Sequence, residues 1–92
     1  MEKIILQGYI IVSDIDLPII KNELLIHEKL TRQESGCLIF QVSQDHINPN
    51  QFNVYEEFTD QEAFDDHQLR VKNSNWGKVT TNIERHYQIT KI

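Results

Sequence analysis

Ninety-two residues and 10.9 kDa leave room for one domain, since a chain this short buries only roughly 60–65% of the surface its unfolded form exposes. Apolar residues at 39% and charged residues at 25% exclude a disordered chain. Nine Lys and Arg against fourteen Asp and Glu give a net charge of −5, which opposes phosphate backbones and anionic lipid headgroups, so neither nucleic acid nor membrane is an expected partner.

Lys3–Ser13 carries Ile4, Ile5, Leu6, Tyr9, Ile10, Ile11 and Val12, a β-branched and aromatic run that reads as the first strand. Asp14–Pro18 breaks it, with Asp16 placed to cap a helix whose first turn accepts Pro18. The helix runs to about Gln33 and ends at Gly36, and at 3.6 residues per turn Ile19, Ile20, Leu24, Ile26 and Leu30 share a broad apolar face. Cys37–Asp45 and Gln51–Thr59 read as a hairpin around Asn48, Pro49 and Asn50. Thr59-Asp60-Gln61-Glu62 has the form of a capping box, so a second helix starts near Asp60 and presents Ala63, Phe64, His67 and Val71 on one side. It weakens at Asn73-Ser74-Asn75 and restarts through Trp76–Val79, after which Ile83–Ile92 alternates as a last strand. No run approaches the ~20 apolar residues of a membrane helix, and the first eight residues lack a secretion signal. The expectation is a cytoplasmic protein with one domain spanning residues 1–92.

The order β-α-β-β-α-β predicts a ferredoxin-like α+β fold, an antiparallel sheet with both helices on one face. Yet Ile5, Tyr9 and Ile11 are apolar at the parity opposite to Ile4, Leu6, Ile10 and Val12, so the second sheet face also needs cover. A homodimer packed sheet to sheet is the simplest cover.

Glu34-Ser35-Gly36-Cys37-Leu38-Ile39-Phe40, then Tyr55-Glu56-Glu57-Phe58, then Asp60, Ala63 and His67 resemble the antibiotic biosynthesis monooxygenase family. That family is described by E-P-G-C-x-x-[YF], a hairpin, [YF]-E-x-[WF] and D-x-x-A-x-x-x-H, and the likeness covers roughly Arg32 to His67. It implies a dimeric α/β-barrel with a pocket between helices and sheet. It also implies oxygenation of quinol-like or polycyclic aromatic substrates without flavin, haem or metal. No G-x-G-x-x-G, paired-cysteine or H-E-x-x-H motif announces a prosthetic group, and no cofactor is expected. Two departures stand out: Ser35 replaces the usual proline, and Gln68-Leu69-Arg70-Val71-Lys72 replaces a frequent Thr-Pro-His segment and so alters the pocket rim.

Such chemistry needs a base to ionise a phenol, donors for the oxyanion, and an apolar cavity where the anion gives an electron to dioxygen. His67 is the expected base, because its ordinary pKa suits proton transfer at neutral pH and the resemblance turns it toward the pocket. Glu56 lies at the apolar parity of Val54 and Phe58 and needs a partner, which His67 or Arg32 could supply, making it the second catalytic candidate. Phe40, Phe58, Trp76 and Arg32 are the expected substrate-binding residues, core packing being the competing role for Phe58. Cys37 reads as a small buried hydrophobe, His27 as a core or interface histidine, and His46 as a solvated turn residue. Glu84 and His86 share a side of the last strand but make only two of the ligands a metal needs, so no metal site is expected. Two other functions fit the same residues. One is isomerisation of a small polar carbonyl or phosphorylated compound, with Lys72 or Arg70 on any phosphate; the other is a dimer that binds a small ligand without turnover.

Overall fold

The computed structural model describes residues 2–92. Four strands, β1 (Ile4–Ile11), β2 (Cys37–Gln44), β3 (Gln51–Phe58) and β4 (Glu84–Lys91), alternate with α1 (Leu17–Arg32), α2 (Gln61–Lys72) and a short α3 (Asn75–Val79). The sheet order is β2-β3-β1-β4, every neighbouring pair antiparallel. With the helices on one face, this is the ferredoxin-like α+β arrangement expected from the element order. Among the described residues no helix is long and apolar enough to cross a membrane.

Residues paired across neighbouring strands share a face, and the register places Ile4, Leu6 and Ile10 of β1 with Phe52, Val54, Glu56 and Phe58 of β3 under the helices. Their burial builds two clusters. Ile4, Leu6, Val54 and Phe58 pack against Phe64 of α2, while Ile10, Val12 and Phe52 pack against Ile20 and Leu24 of α1. Gly8 lies between them on β1 with φ +152°, and a Cβ there would stand 1.8 Å from the His86 carbonyl oxygen, so only glycine lets β4 pair at this point.

The broad apolar face expected for the first helix is corrected in part. The buried positions of α1 are Ile20, Leu24, His27 and Thr31, while Ile19, Ile26 and Leu30 are 48%, 49% and 42% exposed. The i, i+4, i+7, i+11 line that meets the sheet includes two polar residues, and the outer apolar stripe has no cover among the described residues. Asp16 occupies the N-cap position of α1 but its side chain caps nothing. The capping box also shifts by one residue: Asp60, not Thr59, caps α2 by accepting from the Ala63 N–H at 2.9 Å. Ser74 caps α3 in the same way, accepting from the Gly77 N–H at 3.2 Å.

Candidate functional site

Three polar side chains from three elements meet between the two apolar clusters. His67 projects from the inner face of α2 because it lies one turn beyond Phe64, whose burial fixes that face, and only 3% of it is exposed. Glu56 points inward from β3 because its neighbours at the same parity, Val54 and Phe58, are core residues. Glu34 arrives from the turn after α1, which Gly36 lets approach α2 closely: a Cβ on Gly36 would lie 2.3 Å from the Ala63 Cβ.

The His67 Nδ1–H donates to the Glu34 carboxylate, 3.0 and 3.1 Å from its two oxygens. A carboxylate only accepts, so this bond fixes the proton on Nδ1 and leaves the Nε2 lone pair free on the other side of the ring. Arg70, one turn further along α2, donates from Nε to the same carboxylate and from Nη2 to the Thr31 hydroxyl at 2.8 Å. Burial holds the His67 pKa below its ordinary value, the Glu34 bond opposing but not overcoming it, so the ring is neutral near pH 7. On the Nε2 side stands Glu56, with Oε1 at 3.6 Å. Burial first, and the charge of Glu34 second, push its carboxyl up to about 8, so it is mostly protonated at neutral pH.

His67 and Glu56 open onto a cavity of about 320 Å³ beneath α2 and α3, while Glu34 and Arg70 stand on the Nδ1 side of the ring, outside the cavity lining. Leu6, Glu56 and His67 form its inner wall, His27 and Trp76 one side, and Lys72, Arg85 and Tyr87 the rim toward β4. Arg85 is anchored by a bond from Nη2 to the Thr80 carbonyl at 2.6 Å. Tyr87 is 41% exposed, yet burial, and then the Glu56 charge, raise its hydroxyl to about 12, so it stays a donor across the working pH range. His27 is stacked on Trp76, centroids 4.9 Å apart and planes 7° apart, with Phe40 meeting its edge at 5.3 Å. Burial, assisted by the charges of His67 and Arg70, drives its pKa down to about 3, so it is a neutral ring.

Of the residues singled out in the sequence, the structure gathers His67, Glu56 and Trp76 around one cavity. Phe40 and Phe58 stand behind it, their ring centroids 6.5 and 4.8 Å from that of His67, and Phe58 is fully buried core rather than a pocket wall. Arg32 corrects the expectation made for it. Its guanidinium donates to the Phe40 carbonyl at 3.0 Å and pairs with Glu28 at 3.5 Å, outside the cavity, because position 32 falls on the outer side of the last turn of α1. Glu84 and His86 share the open sheet face and bond each other; among the described residues no third ligand joins them. Glu34, His27, Arg85 and Tyr87 were not foreseen as site residues. Parity alone could have found the last two, since Arg85, Tyr87 and Ile89 face the same way as Ile10, Gly8 and Leu6.

Comparison with known proteins agrees with this geometry. No functionally curated protein matches the sequence. A solved structure from Deinococcus radiodurans, described as a candidate antibiotic biosynthesis monooxygenase, shares 25% identity over 97% of this chain and 89% of its own, with a TM-score of 0.76. A protein of unknown function from Bacteroides thetaiotaomicron superposes with a TM-score of 0.80 at 12% identity, covering 99% and 98% of the two chains. A candidate antibiotic biosynthesis monooxygenase from Nitrosomonas europaea gives 0.74 at 16% identity over 100% and 96%. The latter two likenesses concern the fold alone. The sequence model of the antibiotic biosynthesis monooxygenase family matches residues 24–70, the stretch that supplies His27, Glu34, Glu56, His67 and Arg70, and the chain belongs to that family.

Proposed function

We propose that the protein is a cofactor-independent monooxygenase of a small quinol-like or fused-ring phenol, working as a homodimer through its open sheet face. One observation carries this reading: a neutral histidine whose tautomer is fixed by Glu34 and Arg70 turns its free Nε2 lone pair to a cavity bounded by an aromatic stack. Glu34 plays toward His67 the part an aspartate plays in a hydrolase triad, orienting the ring and stabilising the imidazolium it becomes.

A phenol hydroxyl at Nε2 gives up its proton to His67, and the positive charge forms against Glu34. Arg85, Tyr87 and protonated Glu56 supply donors for the phenolate. The electron-rich anion passes one electron to dioxygen, the two radicals combine at a ring carbon ortho or para to the oxygen that carries hydrogen, and the hydroperoxide so formed loses water to leave a quinone. One oxygen atom enters the product and the other leaves as water, so a naphthol or a hydroquinone with such a C–H and one O₂ give one quinone, a hydroxyquinone in the second case, and one H₂O. No further reductant is needed.

The test is dioxygen uptake and quinone absorbance with a panel of hydroquinones and naphthols. Wild-type rates above the no-protein blank are expected, with His67→Ala lower by roughly 10²–10⁴-fold, the usual contribution of a general base. Blank rates with every quinol would overturn the reading. The isomerase alternative keeps one point in its favour, the two cations Lys72 and Arg85 at the cavity rim. It predicts turnover of a phosphorylated carbonyl compound under argon.

A further inference from the structure

Behind Trp76 lies a second hollow. A groove of about 280 Å³ between α1 and α3 is lined by Ile26 and Leu30 of the uncovered apolar stripe, by Arg70, and by His27 and Trp76, the stacked pair that also walls the inner cavity. Groove and cavity thus share a two-ring partition. The inner cavity alone sits at the low end of ligand-pocket volumes, whereas the two together reach the range that holds drug-sized molecules. Two buried polar atoms without a partner among the described residues belong to residues of this groove: His27 Nδ1 and Arg70 Nη1. His27 is 5% exposed, and an orphaned buried nitrogen destabilises the fold unless an occupant satisfies it.

We propose that the groove is a second chamber of the site, which takes an apolar, oxygen-tipped extension of the aromatic substrate, its chain against Ile26 and Leu30 and its oxygen on His27 Nδ1 and Arg70 Nη1, two atoms closed to solvent until Trp76 moves aside. The inference rests on the quinol reading and narrows it to substrates longer than a single ring. Trp76 stands between the reacting ring and its extension, and the indole shifts off His27 when an extended substrate spans both chambers.

Trp76 is the single tryptophan of the chain, so its fluorescence reports the partition directly. Three hydroquinones are titrated without oxygen: one unsubstituted, one with an ω-hydroxyalkyl chain, and one with the matching alkyl chain ending in methyl. The hydroxyl-tipped compound should bind at least ~10-fold more tightly than the unsubstituted one and shift the emission, which the unsubstituted one leaves in place. It should also bind more tightly than the methyl-tipped compound, although the methyl is the more apolar tip. Leu30→Glu, at a position 42% exposed and so compatible with folding, should abolish the gain from the chain while sparing the unsubstituted compound. His27→Phe, which keeps a flat ring on Trp76, should remove the preference for hydroxyl over methyl. If the unsubstituted compound binds and the chain adds nothing, the second chamber is refuted and the quinol reading stands. If none of the three binds, the quinol reading fails and takes the second chamber with it.

Discussion

Glu56 and His27 are two buried titratable groups whose folded pKa values move in opposite directions, and their effects on stability have opposite signs. Glu56 rises from 4.5 to about 8, so the folded chain holds a proton that the unfolded chain releases. Its stabilisation is complete below about pH 4.5 and is lost as pH climbs through 8. His27 falls from 6.5 to about 3, so its contribution is complete above pH 6.5 and is lost as pH drops toward 3. Between 4.5 and 6.5 the two slopes cancel. A Glu56→Gln variant, neutral at every pH, should therefore match the wild-type melting temperature near pH 4. It should exceed it by at least about 4 °C near pH 8.5, as a shift of this size carries a few kcal/mol. Melting curves that stay parallel across that window would mean Glu56 ionises normally in the folded chain. The sequence marked Glu56 by its parity between Val54 and Phe58, and His67 by its place in the family pattern. It could not mark Glu34 or His27, because the turn after α1 and the inner line of α1 meet His67 only in the fold, and no local spacing records that meeting.

The start of α2 decides where His67 points, and the cap residue is therefore worth testing at the scale of the element. Thr59 and Asp60 both suit an N-cap, and the Thr59-x-x-Glu62 spacing favours the first. In the fold, the Thr59 N–H donates to the Gly36 carbonyl at 2.9 Å, which keeps Thr59 attached to the β2 turn and hands the cap to Asp60. Asp60→Ala should cost about 1 kcal/mol in urea unfolding, and Thr59→Ala no more than about 0.5. The reverse ranking would restore the capping box. All elements were legible from alternation, helical periodicity and turn residues, with strand ends off by one or two positions. The inner face of α1 was misjudged for a different reason. A helix with apolar residues at 19, 20, 24, 25, 26 and 30 has more than one candidate face, and the sheet selected the one carrying His27 and Thr31.

At the scale of the whole molecule, the open sheet face asks for a partner. Ile5, Tyr9 and Ile11 of β1 lie there beside Tyr55 of β3, and Tyr9 stacks on His86 of β4 at 4.6 Å. Every residue of β4 is exposed, so this strand gains little from burial within its own chain. A domain of this size has little stability to spare, and a second copy laid on this face would bury an interface of the usual ~800 Å² per partner. Two copies carrying −5 each repel, so the association should tighten as salt screens them. Sedimentation equilibrium is expected to give twice 10.9 kDa for the wild type. Ile11→Asp, which sets a bare charge on the proposed contact, should give the monomer mass. Ile89→Asp is the control: Ile89 is 53% exposed but pairs with Leu6 on the helix side, so the dimer should persist. A monomeric wild type would remove the sheet-to-sheet contact, and a dimer broken by Ile89→Asp but not by Ile11→Asp would move it to the helix side of β4. That second outcome would bring the partner to Tyr87 and Arg85 at the cavity rim, making the active site a product of both chains.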